Sequence, residues 1–374
     1  MAIELAEIFR QYGKSYCQKY ATRMPSTHLK TIRAIEQCRT EALGGQVYRC
    51  PDCNHEQYSY HSCRNRHCPK CQNENAQKWL EKQQSMLLPV PYFLLTFTVP
   101  AGLNEVVRSH QSQFYDLLFT SSAAATQQLA QDRRFIGGRI GMLGVLHTWG
   151  RNLAYHPHIH YLVPAGGLDC DTQAWLPARH QFLLPVRALS RIFRGKFRDS
   201  LKGTSCYARI PSKVWKQEWV VHCEPVGSGL NALKYLAPYI FRVAISNNRI
   251  LKLENERVTF RYRDTDTGQE HYCKLGAEVF IHRFLQHVLP THFVKVRYYG
   301  LFSPSLRTKL TALRKKLEDE NFSLQPVKKS GDPSNSECSS PDPSRSPRCP
   351  LCGQFMTPSS FISPTGPSPP CVLL

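Results

Sequence analysis

The chain has 374 residues, enough for two or three domains at roughly 100–200 residues each. Apolar residues make up 41% of it, and 48 basic against 28 acidic residues leave a formal charge of +20. That excess excludes a generic acidic enzyme and points to a polyanionic partner. No run nears the roughly 18 apolar residues of a membrane span, because the stretch Met86–Val99 is broken by Pro89 and Pro91. The N-terminal MAIELAEIFRQYGK lacks a basic region followed by an apolar one, so no secretory leader is expected. Fifteen cysteines, six of them between Cys38 and Cys71, then read as metal ligands in a reducing cytoplasm rather than as disulfides.

Residues 1–88 open with amphipathic helical patterns and pass into the cysteine cluster, which defines a helical, zinc-binding N-terminal domain. Cys50-x2-Cys53 and Cys68-x2-Cys71 form two knuckles separated by 14 residues. Such turns each place two thiolates on one ion, and two facing knuckles complete a tetrahedral zinc site. The polar surroundings, CPDCNHEQ and CRNRHCPKCQ, have too little apolar content to fold by burial, so the metal would supply the folding energy. Of the ligand types left over beside the knuckles, Cys38, Cys63 and His67 are candidates for a second zinc. Arg64, Arg66 and Lys70 offer either a phosphate-binding surface or an ordinary solvated face.

Residues 89–325 form the main body, with an α+β pattern. PYFLLTFTVP (91–100) and HPHIHYLVP (156–164) read as strands. Period two along the second strand sends His156, His158 and His160 to one face and Ile159, Tyr161 and Val163 to the other. Three same-face imidazoles in an apolar strand suit a divalent ion. The stretch 187–218 carries nine Lys/Arg, including Arg194, Lys196 and Arg198, against two acidic residues. Phe193, Phe197, Tyr207 and Trp215 interleave with them, a composition suited to single strands as well as to a charged face over a core.

In SGLNALKYLAPYIFRVAISNN (228–248), Leu233, Leu236, Ile240, Val243 and Ala244 recur at helical spacing, with Tyr235 and Tyr239 on another stripe. Pro238 cannot donate to the carbonyl of Lys234, so it either kinks this helix or starts it. VTFRYRD and QEHYCKL predict a hairpin about Thr265–Gly268. Ser303 and Pro304 begin a surface helix over 303–320. Residues 326–374 hold 11 of the 26 prolines with much serine, and disorder is expected there. Within that tail Cys349-Pro-Leu-Cys352 is a lone knuckle whose nearby cysteines, Cys338 and Cys371, are badly spaced for a site.

In combination and order, SCRNRHCPKCQ, LLTFTVP, LHTWGRNLAYHPHIHYLVPAGGL and YLAPYIFRVAISN resemble the insertion-sequence 91 family of transposases. These are two-tyrosine members of the HUH (His-hydrophobic-His) endonuclease superfamily, and the resemblance spans about residues 30–310. It implies a central antiparallel sheet of HUH type with flanking helices, preceded by a small zinc-binding module. His158 and His160 would hold Mg2+ or Mn2+ against a scissile phosphate of single-stranded DNA at transposon ends and target. Tyr235 or Tyr239 would attack phosphorus, leaving a 5′-phosphotyrosine and a free 3′-OH, and the second tyrosine would allow a second covalent strand in rolling-circle transfer. The third metal ligand is His156, His147 or Asn247, with His156 preferred because it shares the strand face. The implied location is the cytoplasm of a bacterium, at the nucleoid.

Three other readings compete. A non-catalytic zinc-ribbon regulator accounts for charge and cysteines but leaves the histidine strand unexplained. A replication initiator or relaxase shares the chemistry but not the N-terminal module. An HxH metallohydrolase needs further Asp/His ligands that the sequence does not supply.

Overall fold

A computed structural model describes residues 3–71, 79–179, 181–231, 233, 243–264, 267–320 and 346–365. In chain order, α1 (Leu5–Tyr20) and α2 (Ser26–Gln37) precede β1 (Gly45–Arg49) and β2 (Glu56–Tyr60). Then come β3 (Pro91–Thr98), α3 (Gln111–Ala130), β4 (Gly141–Trp149), β5 (Tyr155–Pro164), β6 (Gly166–Leu168), β7 (Trp175–Pro177), α4 (Val186–Leu201) and β8 (Val221–Ser228). β9 (Ile250–Glu254), β10 (Arg257–Arg263), β11 (Glu270–Gly276), α5 (Ala277–Leu285), β12 (Val296–Gly300), α6 (Arg307–Asp319) and β13 (Thr357–Ile362) complete the series. The fold is a mixture of helices and antiparallel sheet. Strands fall at both predicted stretches, 91–98 and 155–164, and β10 and β11 form the predicted hairpin.

The main sheet has the order β12-β4-β5-β3-β8, with every neighbouring pair antiparallel. Alternation splits its side chains between two cores. Phe93, Leu95, Phe97, Met142, Leu146, Ile159, Tyr161 and Val163 meet α3 and α4. Phe97 packs edge-on against Tyr161 and Phe193, and the Tyr161 hydroxyl meets Ser122 Oγ at 2.8 Å, so the one polar atom in that cluster is satisfied. A Cβ at Gly144 would stand 2.5 Å from the Tyr161 ring, which explains the glycine in an otherwise bulky strand. On the opposite face Leu94, Leu143, Val145 and Leu162 lie under Leu310, Leu313 and Leu317 of α6.

The N-terminal helices do not build a core of their own. Leu5, Ile8, Phe9, Tyr16, Ile32 and Ile35 pack with Ala244, Ile245, Val258, Phe260, Phe280, Ile281 and Phe284. Phe9 meets Phe284 edge-on at 5.6 Å, and Lys19 pairs with Glu278 at 2.6 Å. A division at residue 88 therefore cuts through shared packing. The turn joining β4 to β5 reaches into the same core with Leu153, fully buried at φ 62°. A leucine in the left-handed region costs roughly 1–3 kcal/mol and persists where packing holds it.

The tail needs a correction. Disorder was expected from 326 to 374, yet residues 346–365 contain a knuckle and β13, which pairs antiparallel with β1 from Gly45↔Ile362 to Arg49↔Thr357. TPSSFI shows no apolar alternation, and its partner lies some three hundred residues upstream, so neither signal that marks a strand was available.

Truncating Leu153 to alanine removes a fully buried side chain, and urea unfolding should show a loss of roughly 2–5 kcal/mol. Acid sensitivity has a source in the same contact. His287 Nε2–H donates to Leu153 O at 3.3 Å and its Nδ1 contacts Thr148 Oγ1 at 3.2 Å, while burial pushes the imidazole down to about 4. The folded chain holds this group neutral where the unfolded chain, near 6.5, protonates it. Stability from His287 is therefore complete above about pH 6.5 and lost as the pH falls towards 4, by about 3 kcal/mol. His287→Gln should flatten the unfolding free energy in that window by a similar amount; an unchanged slope would remove His287 as its cause.

Candidate active site and cysteine clusters

At one end of the α6-facing side of the main sheet the apolar residues give way to Thr96, Thr98, His147, His158 and His160. The register sets their geometry. His147 of β4 stands directly opposite His158 of β5, and His160, two residues on, stands opposite Thr96 of β3. The three imidazole centroids are 5.4 Å (147–158), 5.1 Å (147–160) and 4.8 Å (158–160) apart. One ring nitrogen from each lies within 4.8 Å of the others, close enough for a single ion.

Neighbours fix the rings. His158 Nδ1 donates to the backbone carbonyl of His156 at 2.6 Å, which leaves Nε2 with its lone pair. Thr96 Oγ1 meets His160 Nδ1 at 2.9 Å, and Trp149 stacks on His147 at 5.0 Å. Burial, reinforced by His160, takes His158 down to about 3, and burial takes His160 to about 4. All three features suit neutral imidazole donors oriented by a hydrogen bond to the far nitrogen.

The third ring of this group is His147, not His156. His156 shares the strand face, as period two requires, but its side chain is exposed at the start of β5, and its carbonyl serves His158 instead. Asn247 is elsewhere, with Oδ1 accepting the N–H of Leu5 at 3.1 Å. His147 is among the three residues named for the third ligand, but nothing in the sequence gives the register that sets it opposite His158. Tyr235 and Tyr239 lie outside the described residues. The chain approaches them from Leu233, buried on the histidine-bearing side of the sheet, and continues from Val243 into Ala244 and Ile245 of the N-terminal core.

The cysteines divide differently from the expected pairing of knuckles. Cys38, Cys63, Cys68 and Cys71 gather as one group, with Sγ atoms 3.4 Å apart for 38–71 and 3.6 Å for 63–71. Hydrogen bonding from the thiols of Cys38 and then Cys63 holds Cys71 well below the usual thiol range, giving the cluster a thiolate. Cys50 and Cys53 instead meet Cys349 and Cys352. The hairpin explains the split. β2 runs back along β1, so Cys50 and Cys63 leave opposite ends of a five-residue ladder, about 17 Å long. One ion cannot span that. His67 joins neither group, since its Nε2 accepts the N–H of Leu289 at 3.3 Å in a buried setting.

The expected phosphate-binding residues fare unevenly. Arg66 donates to the carbonyls of Phe293 and Pro290 at 2.7 and 2.9 Å, which ties the module to the main body, and Lys70 pairs with Glu4 at 2.6 Å within the N-terminal domain. Arg64 is exposed and lines an open polar hollow with Arg39, Tyr58, Tyr60 and His61. On α4, Arg194 reaches the carbonyl of Gln217, Arg198 reaches the Tyr207 hydroxyl at 2.9 Å, and Lys196 is half-buried. Phe193 and Phe197 are fully buried, and Tyr207 and Trp215 stack on one another against that core. The aromatic interleaving is the period of an amphipathic helix rather than a row of base-stacking rings.

The chain has relatives among known proteins. Residues 8–99 match the family model of a transposase zinc-binding domain, and residues 141–309 match that of a "putative transposase". The chain is 36% identical over 396 aligned positions to the "putative transposase y4qJ" of Sinorhizobium fredii (strain NBRC 101917 / NGR234), covering 97% of each chain. It is 28% identical over 296 positions to the transposase for insertion sequence element IS801 of Pseudomonas savastanoi pv. phaseolicola, covering 74% of this chain and 70% of the relative. No solved structure matches. Among the described residues no helix is long and apolar enough to cross a membrane.

Mn2+ titration at pH 7.5, followed by electron paramagnetic resonance, separates the histidines. His147→Ala and His158→Ala should each weaken binding by about 100-fold, at least what the loss of an outer-shell partner costs. His156→Ala should change it less than about threefold, since its contribution is a backbone carbonyl. The reverse order would return His156 to the ligand set.

Proposed function

The chain belongs to the insertion-sequence 91 family of transposases, and on that footing we propose that it nicks and joins single-stranded DNA by tyrosine attack on a phosphodiester, in rolling-circle transposition. The observation carrying this reading is the convergence of His147, His158 and His160 on one sheet face. That face also takes Leu233, from which the chain enters the tyrosine segment. We read the five-stranded sheet as HUH-type on the same grounds. A regulator that only binds DNA has no use for three converging imidazoles.

Mg2+ or Mn2+ held by these histidines would supply Lewis-acid polarisation of the scissile phosphate and a template for it. Thr96 and the His156 carbonyl keep His160 and His158 turned towards that position. The hydroxyl of Tyr235 or Tyr239 attacks phosphorus. An O–P bond to the tyrosine forms as the bond to the 3′ oxygen breaks, the phenol loses its proton to solvent, and the 3′ oxygen gains one. The phosphodiester energy stays in the 5′-phosphotyrosine, so a later 3′-OH can displace the tyrosine and reseal the strand without a nucleotide cofactor. Two tyrosines allow two strands to be held in turn.

The net charge of +20 favours a nucleic-acid partner, and transposon ends and target are the substrate the family implies. Arg64 and Tyr58 are exposed groups of the β2 hollow placed to meet a backbone and bases. We assign the structural zinc of this module to Cys38, Cys63, Cys68 and Cys71. The working site would be the bacterial cytoplasm, at the nucleoid.

Single-stranded oligonucleotides from the element's ends, labelled on either side of the cleavage site, test the mechanism when incubated with zinc-loaded protein with and without Mn2+. Label 3′ of the nick should shift to protein mass on a denaturing gel only with Mn2+, and vanish in Tyr235→Phe/Tyr239→Phe. His158→Ala should lower adduct formation by at least about 100-fold. Binding without adduct on every end sequence would sink the catalytic reading.

A further inference from the structure

The C-terminal knuckle repeats the N-terminal one in sequence and in backbone. Arg49-Cys50-Pro51-Asp52-Cys53-Asn54 and Arg348-Cys349-Pro350-Leu351-Cys352-Gly353 align residue for residue. In the first, Cys50 N–H donates to His55 O at 2.9 Å and Asn54 N–H to Cys50 O at 3.1 Å. In the second, Cys349 N–H donates to Gln354 O at 2.7 Å and Gly353 N–H to Cys349 O at 2.9 Å. The residue after the second cysteine is left-handed in both, Asn54 at φ 58° and Gly353 at φ 79°, the two residue types that accept that conformation most readily. Each arginine then sits across a short ladder, Arg49↔Glu56 and Arg348↔Phe355. These are two copies of one thiol-presenting turn, drawn from opposite ends of the chain.

The copies face one another. Cys50 Sγ is 3.3 Å from Cys352 Sγ, Cys53 Sγ is 3.5 Å from Cys349 Sγ, and all four sulfurs lie within 4.8 Å of each other. Zinc at about 2.3 Å from four thiolates sets sulfurs about 3.8 Å apart, within that spread. Burial alone does not hold the segment. Its core is Cys50, Cys349 and Met356 with Tyr48 at the margin, while Leu351 and Phe361 are 72% and 85% exposed. Three buried side chains do not offset the ordering of twenty residues, and small modules of this kind rely on a metal.

We propose that Cys50, Cys53, Cys349 and Cys352 bind a second zinc ion as a split ribbon that fastens the C-terminal segment, through β13, to the N-terminal module. Cys50 and Cys53 fall within the region matched as a zinc-binding domain, 8–99, whereas Cys349 and Cys352 lie outside both regions that match family models. It is independent of the tyrosine chemistry. Cys53 and Cys352 are exposed whereas Cys38, Cys68 and Cys71 are buried, so this zinc is the more accessible of the two.

Native mass spectrometry and colorimetric zinc release on the full chain test the proposal. Wild type should hold two zinc ions, released by chelator in two phases, and Cys349→Ser/Cys352→Ser should hold one and lose the fast phase. A protease site placed between residues 326 and 345 supplies an arm that needs no cysteine variant. After cleavage the C-terminal fragment should co-elute with the body in zinc buffer and separate once chelator is added. One zinc per wild-type chain, or a fragment that separates with zinc present, would overturn the proposal, even if the serine variant failed to fold.

Discussion

The candidate active site depends on the register between β4 and β5. Ladder hydrogen bonds set His147 opposite His158, and alternation then brings His160 to the same face. A slip of one residue would turn all of one strand's side chains over, sending Ile159 and Tyr161 to the α6-facing side and the histidines into the α3–α4 core. The aromatic packing of Tyr161 on Phe97 and the close approach allowed by Gly144 make that slip costly. The apolar core on one face thus holds the chemistry on the other.

The turn of the same hairpin couples the site to the N-terminal helices. Leu153 enters their core, His287 grips its carbonyl, and Ala244 and Ile245, just beyond the tyrosine segment, pack in that core as well. Arg66, which resembles a DNA ligand in sequence, joins the zinc-binding side to the main body through the carbonyls of Pro290 and Phe293. The N-terminal module therefore shares one core with the hairpin turn and with Ala244 and Ile245.

What the sequence made legible was local. The His-x-His alternation, the Cys-x2-Cys turns, the β10–β11 hairpin and the helix beginning near Ser303 all follow from spacings of a few residues. What it hid was long-range partnership. His147, one of three candidates for the third ligand, is singled out only by a cross-strand register, and the two knuckles that look like partners at a spacing of 14 residues are held apart by their own hairpin. The partner of Cys53 is 296 residues away, inside a stretch whose proline and serine content reads as disorder. Phe193 and Phe197 misled for a related reason: aromatics among arginines look alike whether the helix face they line meets bases or a core.

β13 has one more consequence. In the three-stranded order β13-β1-β2 it occupies the outer side of β1, whose N–H and C=O groups would otherwise be left bare. Unpaired strand edges recruit other strands. A copy of this gene shortened by a few dozen codons would keep His147, His158 and His160, yet expose an adhesive edge on the N-terminal module. Such a protein would be lost to self-association rather than to any defect in its chemistry.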